Sequence, residues 1–414
     1  MIFAQDRNLP YDADEFDKTI SDGVTDIVRQ QKEAGVDIPS DGEMGKISYA
    51  TYIRHRLTGF EGDSPRPTPI DIDEIPEFRD RLLKLGSSAS YLRPVCRGHI
   101  AIKNLEPVHE DIRRMKAALA VNDMTEGFLN AVSPGTIAVF QPNEYYPSHE
   151  AYMEALSEVM KIEYETIAAS GLLVQIDCPD LAMGRHSRFA SLSDEEFIRY
   201  AHVQVDALNH ALENVPADRV RLHMCWGNYE GPHNYDLTLK QLLPVLLRVK
   251  PQALLFEGAN PRHEWEWKIW QSINVPKDKI LVPGVIATSY NYVEHPETIA
   301  ERIMHYVDAV GPERVIAGTD CGFGTFAGFG PIHPTICWMK LRSLREGADL
   351  ASKRIFKKST KKAAVKKTVA KKTAPAKTAP KKAAAKKTVA KKAVKKAAAK
   401  KAVKKSAKKA AKRR

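Results

Sequence analysis

The sequence has few cysteines and no long apolar run. Five cysteines, an odd number in 414 residues, argue against a disulfide framework and favour reduced thiols. No stretch reaches the roughly 18 to 20 consecutive apolar residues that a membrane span needs, and the first residues lack the pattern of a signal peptide. We therefore expect a soluble protein of the cytoplasm.

Acidic residues are missing from the C-terminal tail, residues 357–414, which holds 26 of the 63 Lys and Arg. The body, residues 1–356, keeps 37 basic and 51 acidic residues, so its net charge is −14 against +26 for the tail. Only the tail therefore has the charge expected of a nucleic-acid binder. It has almost no bulky apolar side chain to bury, which predicts disorder in the free protein.

Lys-Lys pairs separated by small residues make the tail resemble linker-histone tails and the tails of some bacterial nucleoid proteins. The resemblance implies non-specific binding of DNA or RNA, because clustered positive charge displaces counterions from phosphates without reading bases. The alternative is a solvated charge run that binds nothing specific. The candidate contacts are lysine pairs along the tail: Lys361, Lys362, Lys381, Lys382, Lys408 and Lys409.

Helical patterns and short apolar runs alternate along the body, which predicts an α/β fold with a parallel sheet. The helical patterns cover 14–34, 104–122, 148–170, 193–213, 236–248, 294–310 and 332–354. The apolar runs, predicted to be strands, cover 35–40, 98–102, 136–140, 172–176, 220–224, 253–256, 280–286 and 314–317.

Polar and titratable residues follow several of these strands. They are Asp41, Glu43, Asp177, Cys178, His223, Cys225, Glu257, Asp320 and Cys321. In a (β/α)₈ barrel the carboxyl ends of the strands meet at one mouth, where active sites are built. The rival Rossmann fold needs a Gly-rich loop after its first strand, and this sequence has none. We therefore predict a TIM-type barrel, with the proline-rich excursion 60–93 as a lid over its mouth.

Four of these strand-end residues have the chemistry of zinc ligands. His223 and Cys225 lie two positions apart, so both side chains can point to the same side of a strand. One imidazole, two thiols and a carboxylate (His223, Cys225, Cys321 and Glu257) suit Zn²⁺. The alternative, that these are ordinary buried residues, is weakened by four matching ligand types around one mouth.

Three motifs carry a resemblance to a known family: residues 221–228 (RLHMCWGN), 255–261 (LFEGANP) and 315–324 (VIAGTDCGFG). Together with residues 175–180 (QIDCPD) and Asp41-Gly-Glu43, they make about residues 10–355 similar to the catalytic half of cobalamin-independent methionine synthases. The resemblance implies a zinc-bearing barrel with the same four ligands. It also implies transfer of a methyl or alkyl group from a 5-methyltetrahydrofolate-type donor to a thiol that zinc holds as a thiolate.

The resemblance also assigns roles to the carboxylates. Glu43 and Asp177 match the positions that hold the amino group of the homocysteine acceptor, a role that two carboxylates can fill through charge-assisted hydrogen bonds. The alternative is that they only cap helices or pair with an arginine. Glu257 and Asp177 are the two predicted catalytic residues. Glu257 is expected to be a zinc ligand that loosens when the acceptor binds.

The sequence departs from the family in ways that leave the donor open. Only one barrel is present, whereas full-length relatives carry a second that helps bind folate. Ala287 and Ser289 stand where the family has an Asp and a proton-donating His, and neither can donate as His does at neutral pH. Tyr290 or Tyr292 is a substitute. Cys178 replaces an acidic residue and is expected to be a buried spectator.

Two alternative functions remain open. One is an alkyl transfer like that of the epoxyalkane:coenzyme M transferases, which resemble the same barrel; the zinc-free uroporphyrinogen decarboxylases are disfavoured by the His-x-Cys pair. The other is a nucleic-acid-binding protein with an inactive barrel, which would have no reason to keep the four ligands. Nothing before Asp14 matches the family's first strand, so we expect a barrel that lacks this strand, as in an N-terminally shortened chain.

Overall fold

The computed structural model describes residues 1–65, 68–84, 91–328 and 330–372. The chain divides after Thr360, and Met1–Thr360 is the first of its two units. Among the described residues, no helix has both the length and the apolar character that crossing a bilayer requires.

One parallel sheet, with strands in sequential order, organises the first unit and curls into part of a barrel. The strands outside this sheet are β1 (Phe60–Glu61) and β2 (Val95–Cys96), which pair with each other. The parallel strands are β3 (Phe128–Val132), β4 (Leu173–Asp177), β5 (Val220–His223), β6 (Ala253–Phe256), β7 (Ile280–Ile286) and β8 (Gly318–Thr319). An isolated parallel bridge from Ser40 to Phe128 continues the sheet beyond β3. The predicted barrel class is confirmed.

Helices cover the outer face of the sheet, and the main hydrophobic core lies between the two. In chain order they are α1 (Ile2–Asp6), α2 (Ala13–Glu33), α3 (Ile70–Asp73), α4 (Pro76–Lys84), α5 (Glu106–Val121), α6 (Pro134–Phe140), α7 (His149–Ala169), α8 (Asp194–Ala211), α9 (Leu239–Leu246), α10 (Trp267–Ser272), α11 (Pro296–Val310) and α12 (Pro334–Lys372). Local capping starts several of them: Ser193 and Glu196 form a capping box at α8.

The run 136–140 was predicted to be a strand, and this prediction is wrong. It belongs to α6, where the Ser133 side chain accepts a hydrogen bond from the Thr136 amide and Pro134 occupies the first turn. These start signals override the β-branched composition of the run. All seven residues of α6 are buried, so the run lacks the polar face that marks a helix in a sequence. The strand itself, β3, lies just upstream and was missed.

Three other predicted strands are reduced or shifted. In the run 98–102 only Ile102 makes a bridge, to Leu57, and in the run 35–40 only Ser40 does. Gly35 has φ +89°, which breaks an extended run at its start. In the run 314–317 only Val315 bridges, to Leu281, and the strand proper, β8, follows it.

The excursion 60–93 begins at the antiparallel pair β1–β2, and its described part contains α3 and α4. The carboxylate of Asp71 in α3 accepts hydrogen bonds from the Tyr229 hydroxyl and the His233 amide, both at 2.9 Å. Both partners lie in the loop that follows β5. The excursion therefore contacts the strand-end side of the sheet, where a lid was predicted.

Helix α12 passes the predicted start of the disordered tail and runs to Lys372, so Lys361 and Lys362 have helical backbone. Alanine and lysine are strong helix formers, and the disorder predicted for the tail stays a prediction. The pairs Lys381–Lys382 and Lys408–Lys409 lie outside the described residues.

Gly284 in β7 generates a stability prediction. A Cβ atom there would lie 2.6 Å from the backbone nitrogen of Asp320 and 2.1 Å from its Oδ1. We expect Gly284→Ala to destabilise the protein by about 1–3 kcal/mol through overpacking, measured by denaturant unfolding. Gly98→Ala is the control, because the nearest atom to its Cβ is 3.5 Å away. Equal stability of the two variants would contradict the close approach of β7 and residue 320.

Candidate metal centre

Neighbouring strands bring the candidate ligands together at their carboxyl ends. In the parallel ladder Asp177 at the end of β4 pairs with His223 at the end of β5. Cys225 lies two residues beyond His223, and Cys321 lies two residues beyond the end of β8. The curl of the sheet brings β8 back toward β5, although the two strands are not neighbours.

Three of the four predicted ligands form one compact group. The ligand atoms of His223, Cys225 and Cys321 all lie within 4.8 Å of one another. The two Sγ atoms are 2.9 Å apart, and Cys321 Sγ lies 3.4 Å from His223 Nε2. A buried set of one imidazole nitrogen and two sulfurs suits a borderline-soft divalent metal. The residues present therefore fit the metal that their chemistry predicts.

Burial and negative charge keep both thiols protonated when no cation is near. The hydrogen bond from Cys321 favours the Cys225 thiolate, but burial and the carboxylate of Glu257 outweigh it and raise the pKa of Cys225. The same hydrogen bond, together with burial, raises the pKa of Cys321 well above its usual value. A bound metal must displace both protons, so metal binding here releases protons.

His223 is oriented by Asp177. Its Nδ1 donates to Asp177 Oδ1 at 3.1 Å, and its Nε2 faces the carbonyl oxygen of Asp320, also at 3.1 Å. Burial lowers the pKa of His223, but the hydrogen bond and charge of Asp177 more than compensate, and the pKa is raised. A carboxylate on Nδ1 fixes the ring and leaves Nε2 as the ligand atom beside Cys321.

Glu257, the fourth predicted ligand, lies beside this group but outside it. Its carboxylate accepts hydrogen bonds from the Trp226 amide at 2.8 Å and from the Asn260 side chain at 2.7 Å. Its charge nevertheless reaches both thiols, because it contributes to raising the pKa of each. Its predicted role as a ligand that comes and goes remains a prediction.

Glu43 and Asp177 lie close enough to influence each other. Burial raises the pKa of Glu43 to about 7, Lys46 opposes the shift, and the charge of Asp177 adds to it. Lys46 Nζ lies 3.5 Å from the Glu43 carboxylate. Glu43 has φ 53°, a left-handed backbone conformation that sets the direction of its side chain. The role predicted for these two carboxylates, holding the amino group of the acceptor, stays a prediction.

Comparisons with known proteins point in one direction. No protein-family profile matches the chain. The chain is 26% identical over 313 residues to the methionine synthase of Pyrococcus furiosus, covering 75% of this chain and 77% of that protein. It is 23% identical over 343 residues to the methionine synthase of Thermococcus kodakarensis, covering 83% and 86%.

A solved structure agrees with this. The B12-independent methionine synthase of a Shewanella species, in complex with selenomethionine, matches with a TM-score of 0.66 and 17% identity. The match covers 84% of this chain and 91% of that one. The chain is therefore similar in sequence to methionine synthases and in fold to a B12-independent methionine synthase. Neither the coenzyme M transferase alternative nor the inactive barrel is favoured.

The expected departures from this family can now be placed. Ala287 is fully buried, and its backbone amide donates a hydrogen bond to Glu294. Its methyl side chain offers no polar group to the centre. Tyr292 is 79% exposed, and burial raises the pKa of Tyr290 to about 12. The raised pKa makes Tyr290 a weaker proton donor near pH 7, and the substitution of either tyrosine for the family's His stays a prediction. Cys178 is fully buried, as expected of a spectator.

Two residues near the centre received no role from the sequence: Asp320, which was named only as a strand-end residue, and Asp236, which was missed. Asp320 is buried, its Oδ1 accepts from the amides of Gly258 and Ala259 at 2.9 Å each, and burial raises its pKa to about 7. Its place directly before Cys321 was the available signal. Asp236 contacts three histidines, and no spacing in the sequence relates these four residues.

Proposed function

We propose that this chain is a zinc-dependent methyltransferase that methylates the sulfur of homocysteine. The observation that carries the proposal is the buried group of His223, Cys225 and Cys321 at the strand ends. Similarity to known proteins supports methyl transfer as the reaction, since the relatives compared above are named methionine synthases. In this reaction the bond from the donor atom to the methyl carbon breaks and a carbon–sulfur bond forms. The thiol proton is lost, and the donor's leaving atom gains one.

Zinc bound by these three residues would supply a Lewis acid that lowers the pKa of the acceptor thiol. The chain's own residues set up that site. Asp177 holds the Nδ1 proton of His223, which reserves Nε2 for the metal. The two thiols are buried against solvent, which limits competition by water.

Glu257 is proposed as the fourth ligand before the acceptor binds. Its two present partners, the Trp226 amide and the Asn260 side chain, would hold the carboxylate whenever it is not a metal ligand. A ligand with an alternative set of hydrogen bonds is suited to exchange with an incoming thiol. This supports the expectation that Glu257 is a catalytic residue.

Glu43 and Asp177 are proposed to bind the ammonium group of the acceptor. A cation between them would relieve the repulsion and the burial that raise the pKa of Glu43 to about 7. Lys46, 3.5 Å from Glu43, keeps the pair from being a purely anionic site. The methyl donor is proposed to be of the 5-methyltetrahydrofolate type, with no residue yet assigned to protonate its leaving group.

The ligand assignment predicts that Cys225→Ser and Cys321→Ser each lose zinc, because a serine hydroxyl is a poor substitute for a thiolate. Elemental analysis should find about one zinc per wild-type chain and a strongly reduced content in both variants. Methyl transfer from a methyltetrahydrofolate to homocysteine should fall in parallel.

Cys337→Ser is the matched control, because Cys337 is a free thiol on α12 outside the centre. It should keep both zinc and activity. Wild-type zinc content in Cys225→Ser and Cys321→Ser would contradict the proposal, as would zinc binding without any transfer to homocysteine.

We also propose that the tail binds nucleic acid non-specifically and independently of the enzyme. The supporting observation is its charge, 26 basic residues and no acidic residue over residues 357–414. The lysine pairs 361–362, 381–382 and 408–409 are the proposed phosphate contacts. No base reading is expected from lysine and alanine alone.

Deletion of residues 357–414 should abolish retention of duplex DNA at low salt and leave zinc content and turnover unchanged. For the full chain, affinity should fall on the order of 10³-fold or more between about 50 and 200 mM salt, because the contacts release counterions. Filter binding over a salt series measures this. DNA binding that survives the deletion, or that does not respond to salt, would contradict the proposal.

A further inference from the structure

A second polar cluster lies beside the metal centre, and the proposed chemistry does not use it. Its middle is Asp236, whose side chain is 1% exposed. His186 Nδ1 lies 2.9 Å from Oδ1 of Asp236, while His233 Nδ1 and His263 Nε2 each lie 2.9 Å from Oδ2. We call these four residues the Asp236 cluster.

The Asp236 cluster joins segments that follow three neighbouring strands. His186 ends the short helix Met183–His186 after β4, His233 and Asp236 lie in the loop after β5, and His263 lies after β6. Burial alone would raise the pKa of Asp236, but its contacts with the three histidines hold the pKa far below its usual range. The three histidines thus compensate the buried negative charge of Asp236, and separating them from the carboxylate would be costly.

One side of the cluster supports the metal loop, residues 224–236. The ring of His263 stacks on Trp226 with centroids 3.8 Å apart and planes 20° apart. Trp226 directly follows Cys225, and its amide donates to Glu257 at 2.8 Å. His263 therefore helps to set the position of the Trp226 backbone. This backbone directly follows the ligand Cys225, and its amide binds Glu257, the fourth predicted ligand.

The opposite side of the cluster supports α3 of the excursion. The ring of His233 stacks on Tyr229 with centroids 4.3 Å apart, and His233 Nε2 donates to the Tyr229 carbonyl at 3.1 Å. The Tyr229 hydroxyl and the His233 amide both donate to Asp71. Asp71 is 2% exposed, so α3 is anchored in a buried contact.

We propose that Asp236 is a positioning residue that couples the docking of α3 to the geometry of the metal centre. It touches no predicted ligand or acceptor group and acts through His263 on one side and His233 on the other. The inference rests on the proposed zinc function. Because coupling is reciprocal, zinc binding should strengthen the docking of α3, and loss of Asp236 should weaken both.

The experiment measures two quantities on the full chain: the zinc dissociation constant, by chelator competition, and hydrogen exchange of peptides covering Ile70–Asp73 with and without zinc. In the wild type, zinc should slow this exchange. Asp236→Asn should weaken zinc binding by up to about 10-fold, the lower end of what the loss of a direct partner of a metal ligand costs, because Asp236 acts through His263; it should also abolish the effect of zinc on exchange. Glu158→Gln is the control, because it removes the carboxylate beside the surface His210.

Two further variants separate the sides of the cluster. Tyr229→Phe removes the hydroxyl that binds Asp71, so exchange at Ile70–Asp73 should be fast, and zinc affinity should fall only by the factor by which zinc strengthens α3 docking in the wild type. His263→Gln removes the stacking on Trp226, so zinc affinity should fall even if Asp236→Asn does not fold. Unchanged zinc affinity in both Asp236→Asn and His263→Gln, or exchange at α3 that ignores zinc in the wild type, would overturn the inference. A wild type that binds no zinc would remove the proposed function as well.

Discussion

The parallel register of β4, β5 and β6 is the constraint on which the centre depends. Asp177 pairs with His223, and His223 pairs with Leu255, two residues before Glu257. Because all carboxyl ends in a parallel sheet point the same way, this register delivers a carboxylate, an imidazole and a second carboxylate to one edge. A one-residue slip of β5 would turn His223 and Cys225 to the other face together. The buried strands around them hold the register fixed.

Negative charge is concentrated at this edge, and that explains most of its chemistry. Two thiols, Glu257 and Asp320 share a buried region, and burial and mutual repulsion raise the pKa of Asp320 to about 7. Such a group of side chains favours a cation, because a divalent metal reverses the cost of each buried negative charge. The Asp236 cluster next to it is built differently, since its histidines compensate the carboxylate without a metal.

The sequence was informative where chemistry and strand ends coincide. His223, Cys225 and Cys321 were selected by ligand type and by their place after apolar runs, and the structure brings all three together. The barrel class was predictable from the alternation of patterns. The helix Pro134–Phe140 was not, because a fully buried helix has no polar stripe, and its start depends on a single Ser-Pro pair.

Contacts across the fold were beyond the sequence for a different reason. His186, His233 and His263 meet Asp236 only because three strand ends converge, and their separations of up to 77 positions follow no local period. The reduction of the run 35–40 to one bridge at Ser40 likewise reflects tertiary pairing rather than composition. Local patterns therefore predicted which residues carry chemistry, and the topology decided which of them meet.

Zinc K-edge X-ray absorption on the purified full chain tests the central claim most directly. A site built on His223, Cys225 and Cys321 predicts a mixed first shell, with two sulfurs at about 2.3 Å and lighter ligands at about 2.0–2.2 Å. Addition of homocysteine should increase the sulfur contribution by about one scatterer, as expected when a thiol enters the fourth position. A shell of nitrogen and oxygen alone, or one that homocysteine leaves unchanged, would contradict the account.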